Sequence, residues 1–116
     1  IELYIDIWQP EEHSQWEYFK EEEPSPILQI VAPICHLPED PALYSKFLEE
    51  VLYINFHMYY GSFTVNFQER IAAIRCRRLV EGANRVEIIE PLEAIGYYAE
   101  SLAPYLVEKY AAKKIE

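Results

Sequence analysis

An α+β fold, a five-stranded antiparallel sheet with its helices packed on one face, is predicted by three features of the sequence. Apolar residues alternate with period two over several short stretches, a period near 3.6 governs two longer ones, and proline-rich polar runs separate them. The resulting order is β-β-β-α-β-β-α, which an antiparallel sheet with one helix-covered face satisfies. With 116 residues, 51% of them hydrophobic, the chain suits one domain, 1–116, built round one core.

The first stretch, Ile1 to Gln9, alternates Ile1, Leu3, Ile5 and Ile7 with Glu2, Tyr4, Asp6 and Trp8. Period two predicts a half-buried strand. A polar loop from Pro10 to Gln15 follows, and Trp16-Glu17-Tyr18-Phe19-Lys20 is β-prone enough for a second strand. Glu21-Glu22-Glu23-Pro24-Ser25-Pro26 turns the chain into a third strand, Ile27 to Ile34, whose Leu28, Ile30, Ala32 and Ile34 share one parity. Taken in order, the three strands form an antiparallel meander.

At Pro38-Glu39-Asp40-Pro41 the pattern changes, because Asp40 is a good N-cap and Pro41 suits the first helical position. The helix carries Tyr44, Phe47, Leu48, Val51, Leu52 and Asn55 on one stripe, with Gly61 as its stop. Ser62 to Phe67 and Arg70 to Val80 return to period two and make a hairpin around Gln68-Glu69, a turn without the usual glycine. The remainder is helical, on the stripe Leu92, Ile95, Ala99, Leu102, Leu106, Val107 and Tyr110. Asn84 is a cap for a helix from Arg85, yet Pro91 equally marks a start at Glu90, and Pro104 is expected to bend what passes through it.

Twenty acidic and ten basic residues give a net charge of −10, the wrong sign for a protein that must neutralise phosphates, so no nucleic-acid footprint is expected. The charge is unevenly placed. Residues 1–50 hold 12 acids and 2 bases, whereas residues 51–116 hold 8 of each. No run approaches the ~18 apolar residues of a membrane span, and the opening residues show no basic-then-apolar leader. Two cysteines, Cys35 and Cys76, are too few for a disulfide framework and point to a reducing, cytoplasmic setting, with one buried disulfide between them as the alternative. The chain opens on Ile1 rather than Met, from which further residues upstream are expected.

Chemistry-bearing patterns are weak. His13, His36, His57, Cys35 and Cys76 lack ligand spacing, and the adjacent Cys35-His36 pair projects to opposite faces of a strand, so neither a metal nor another cofactor is expected. There is no G-x-S-x-G elbow, Gly61, Gly82 and Gly96 do not cluster into a phosphate loop, and the Glu11-Glu12, Glu21-Glu22-Glu23 and Glu49-Glu50 runs read as solvated faces. A non-enzymatic protein is the expectation.

Residues 43–67, LYSKFLEEVLYINFHMYYGSFTVNF, and above all the Tyr59-Tyr60-Gly61-Ser62-Phe63 junction, run as an amphipathic helix ending in a small residue and Phe before a hairpin. Together with Ala94-Ile95-Gly96-Tyr97-Tyr98-Ala99 and Pro104-Tyr105, they resemble the type III secretion chaperones and the bacterial YbjN-type proteins, over about residues 1–112. The predicted order also matches the second half of that family's α-β-β-β-α-β-β-α fold, with the first helix absent or truncated. This resemblance implies a small, homodimeric, non-enzymatic protein that binds other proteins through sheet and helix surfaces. It does not carry a secretion role with it.

Two surfaces are candidates for such binding. Tyr4 and Trp8 fall on the parity opposite Leu3, Ile5 and Ile7, and with Trp16 and Tyr18 they would form an aromatic sheet face for a second copy or an extended peptide. Arg75 and Arg77 share one face of a strand, where they either pair with the acidic first strands or dock an acidic partner segment. Two other readings stay open. One is a small-molecule or enzymatic site between sheet and helices using His57 with Tyr59 or Tyr60; the other is a subunit whose aromatics form a permanent interface in a larger assembly.

Overall fold

The structure, a computed structural model, describes residues 3–8, 26–80 and 82–115. The elements run β1 (Tyr4–Trp8), β2 (Ile27–His36), α1 (Pro41–His57), β3 (Ser62–Asn66), β4 (Ile71–Leu79) and α2 (Arg85–Tyr110). Among the described residues, four strands join one antiparallel sheet in the order β1-β2-β4-β3.

This corrects the expected five-stranded sheet. β1 pairs directly with β2, from Tyr4↔Val31 to Trp8↔Ile27, so no strand lies between them and the three-strand meander does not form. The pairing sets Ile5 and Ile7 opposite Ile30 and Leu28, matching apolar parity to apolar parity. The strand expected at Trp16–Lys20 lies outside the described residues. Among the described residues the element order is therefore β-β-α-β-β-α, with two helices.

β2 is the longer of the two interior strands, and its burial shows why it holds the sheet. Ile30, Ala32 and Ile34 alternate inward, and a register shift between Pro33 and Cys35 then leaves Ile34 and Cys35 both buried. Proline lacks the N–H that a regular ladder would use, so a bulge is where a strand tolerates it. Beyond it, the C-terminal segment returns to this end of the sheet, with His36 N–H donating to the Lys113 carbonyl and a bridge pairing Cys35 with Lys114.

Asp40 caps α1 as expected, its carboxylate accepting from the Ala42 N–H at 2.8 Å, with Pro41 opening the helix. Two details differ. The helix ends at His57 with Met58 as its C-cap, so Gly61 is not its stop; Gly61 takes φ +71° in the turn into β3. Leu52 also points outward, because Phe47 and Val51 alone centre the buried stripe. α2 resolves the proline ambiguity in favour of Asn84, whose side chain accepts from the Glu87 N–H at 2.9 Å. The helix then runs through both Pro91 and Pro104 to Tyr110, burying Pro91, Ile95, Ala99, Leu106 and Tyr110.

Both helices lie on the same side of the sheet, α2 against β2 and β4 and α1 against β3. Between them sits an apolar core in which Phe47, Ile74, Ile95 and Leu106 are fully buried. Each such side chain contributes about 1.5–3 kcal/mol by leaving water. Phe47 and Tyr110 meet edge to face at 5.5 Å and join the two helices.

Candidate functional site

Antiparallel register decides which side chains share the sheet face that the helices leave open. The residues paired with Tyr4 and Asp6 are Val31 and Gln29, and across β2 these meet Arg75 and Arg77. Ser62, Thr64 and Asn66 of β3 complete the face opposite Arg75, Ala73 and Ile71. The parity of the first strand and of the two arginines thus brings Tyr4, Arg75 and Arg77 onto one surface.

Arg77 is held. Its Nε donates to Gln29 Oε1 at 2.7 Å, and Gln29 Nε2 donates in turn to Asp6 Oδ1 at 3.2 Å. The relay crosses three strands and joins a basic residue of the second half to an acidic one of the first, through an intervening amide. The side chain of Arg75, two residues earlier, has neither a hydrogen bond nor an ion pair among the described residues. Burial alone pushes its pKa below the ordinary arginine value, and Arg77 is lowered by burial and by the nearby charge of Arg75, against the pull of Asp6.

The remaining arginines go elsewhere. Arg78 points to the helix side and pairs with Glu87 of α2. Arg70, at φ +57° in the hairpin turn, donates to the Pro38 carbonyl at 3.1 Å and lies over the Tyr44 ring. Its left-handed backbone does the work of the missing turn glycine, helped by Asn66 Oδ1, which accepts from both Gln68 and Glu69 N–H at 3.0 Å.

Around Arg75 the open face dips into a groove of about 900 Å³, walled by Tyr4, Val31, Thr64, Phe67, Arg77 and Ile115. Tyr4 and Phe67 are largely exposed at its rim. A guanidinium set among aliphatic and aromatic surface suits a planar carboxylate in an extended chain. Of the other expected aromatics, Trp8 pairs through its backbone with Ile27, and Trp16 and Tyr18 lie outside the described residues.

His57, Tyr59 and Tyr60 do not converge on an interior pocket. His57 lies at the exposed end of α1 in ring contact with Tyr53 and Phe56, Tyr59 is 83% exposed, and Tyr60 donates to Glu90 at 2.8 Å. Among the described residues no polar side chain is buried, and no group of three or more His, Cys, Asp or Glu is placed to hold a metal ion. Both cysteines are free; burial pushes the Cys35 thiol up to about 11.

Periodicity gave no sign of the polar contact that closes the other edge of the sheet. Asn55, read as part of an apolar stripe, turns its amide to the backbone of Phe63 on β3. A polar residue on such a stripe was the available signal. No helix among the described residues is long and apolar enough to cross a membrane. No protein-family model matches the chain, and no curated protein matches it.

Proposed function

We propose that this chain is a non-enzymatic protein-binding module that takes an extended acidic segment of a partner along the open face of its sheet. The observation that carries the reading is the Arg75 side chain, partly desolvated in a groove and without a hydrogen bond or ion pair among the described residues. Charge and shape define the occupant. A carboxylate would meet Arg75, and alternate apolar side chains would rest against Val31, Tyr4 and Phe67. The resemblance of residues 43–67 and 94–105 to secretion chaperones and YbjN-type proteins supports a binding role, and free thiols at Cys35 and Cys76 accord with a cytoplasmic setting.

Homodimer formation belongs to the same reading, and it uses a different surface. On α1, Leu52, Tyr53 and Phe56 are 67–84% exposed, and Tyr59 continues the patch beyond the helix. Such an apolar ridge on a helix is suited to packing against its own copy. The helices and the open face lie on opposite sides of the sheet, so a dimer built on α1 leaves the groove free.

The test is titration of a fluorescein-labelled peptide with Glu at its centre, Val two residues to either side and Thr between them, so that Glu and both Val share one face of the extended chain, beside light scattering of the same samples. Arg75→Glu is expected to abolish peptide binding while keeping the wild-type mass, and Phe56→Asp to halve the mass while keeping the binding. Peptide affinity unchanged in Arg75→Glu would overturn the assignment of the groove. A wild-type monomer would overturn the dimer.

A further inference from the structure

On the helix side, at the junction of Tyr60 with α2, there is a second concavity of about 480 Å³ lined by Tyr60, Glu90, Glu93, Ala94, Tyr97 and Tyr98. Its floor follows from helical spacing. Glu90, Ala94 and Tyr97 stand one above the other on α2, and the small Ala94 side chain between two large ones makes the depression. Tyr60, from the turn after α1, forms the facing wall and is fixed there by its hydroxyl, which donates to Glu90 Oε2 at 2.8 Å.

The lining is of two kinds. Three phenol rings line it, with Tyr97 and Tyr98 inclined at 61° and their centroids 6.3 Å apart, so these two are angled rather than stacked. Two carboxylates supply negative charge, and among the described residues no lysine, arginine or histidine lines the space. Arg78 of β4 is engaged with Glu87 of α2. Aromatic faces with only acids around them attract a cation and repel an anion.

We propose that this concavity is a binding site for a methylated ammonium group. A bare ammonium or guanidinium is strongly hydrated and would exchange that water for a lining half made of phenol rings, where Glu90 Oε2 already accepts from Tyr60. A trimethylammonium donates no hydrogen bonds and is weakly hydrated; its methyl groups rest on the ring faces while Glu93 and Glu90 supply longer-range attraction. The group can arrive as a small molecule of the choline type or as the side chain of a trimethylated lysine, and the site recognises what the two share.

The experiment is a titration of the whole protein, followed by tyrosine fluorescence and by NMR, with three probes: choline, a short peptide carrying one trimethyl-lysine, and 3,3-dimethylbutan-1-ol, the neutral isostere of choline. Saturable binding of at least one cation, with the isostere at least about ten-fold weaker, is expected. Tyr97→Ala should weaken the cation by a similar factor, and because Tyr97 is 69% exposed the variant keeps its fold, as its far-UV spectrum will show. Glu93→Gln should weaken the cation and leave the isostere unchanged. Choline binding as tightly as the peptide identifies a small-molecule site, and preference for the peptide identifies a modified-protein site. Equal affinity for the isostere, indifference to Tyr97→Ala, or no saturable binding of either cation would overturn the proposal.

Discussion

The side-chain amide of Asn55 binds the backbone of Phe63 twice, accepting from its N–H at 2.6 Å and donating to its carbonyl at 3.3 Å. Phe63 pairs with Ile74 on β4 on one side, so the amide of a helix residue acts where a further strand would bond on the other. This joins α1 to β3 and closes the start of an edge strand to pairing with other chains. Replacing Asn55 by Leu leaves both partly buried backbone groups without partners, at a cost of about 1–3 kcal/mol. A lower urea midpoint with an unchanged slope is the expected result. Asn55→Asp keeps the acceptor and sets a carboxylate against the Phe63 carbonyl, so it should lose stability as well. Wild-type midpoints in both variants would show that the contact does not hold the helix to the strand.

Gly61 and Gly82 both adopt positive φ, at +71° and +77°, but their surroundings differ. A Cβ at Gly61 would lie 2.8 Å from the Arg75 carbonyl oxygen, whereas nothing lies within 4 Å of one at Gly82. Gly82→Ala therefore costs only the left-handed backbone, about 1–2 kcal/mol. Gly61→Ala adds a clash with the backbone of the neighbouring strand and should cost about 2–4 kcal/mol in all. Thermal melting of the two variants side by side checks the order. Equal losses would mean that the turn before β3 shifts freely.

Both helices, the cap at Asp40 and the inward parity of β2 were legible in the sequence because each rests on local spacing. The strand neighbours were not. Alternation states which face a residue takes and is silent on which strand lies beside it, so β1 beside β2 could not be told from a meander. The same limit applies to the arginines. Parity placed Arg75 and Arg77 together, but the difference between them comes from Gln29 and Asp6, which reach Arg77 from two other strands. Gly61 was legible as a break and not as a close approach, because the carbonyl that demands it belongs to a residue of β4. Asn55 and Tyr60 likewise depend on partners eight and thirty residues away.

Glu50 of α1 is clasped by the end of α2, taking hydrogen bonds from Lys109 Nζ at 2.7 Å and from the Tyr110 hydroxyl. Burial acts to raise its pKa, but the bonds from Lys109, Tyr105 and Tyr110 and the charge of Lys109 outweigh it and leave the carboxyl below its ordinary value. For a carboxyl lowered in the folded state, the stabilisation is complete above the unfolded pKa and is lost as the pH falls through the folded one. Lys109 is shifted upward, chiefly by its bond to Glu50, and the sign reverses: its contribution is complete below its unfolded pKa and fades as the pH rises through the folded value. The clasp should therefore act fully between about pH 5 and pH 9 and weaken on both sides. Urea unfolding of the wild type and of Glu50→Gln across this range tests it. The difference in stability between them should be greatest near neutrality and shrink in acid, as the wild-type carboxyl takes up its proton. A difference that stays constant down to pH 3 would show that the ionised form of Glu50 contributes nothing to joining the two helices.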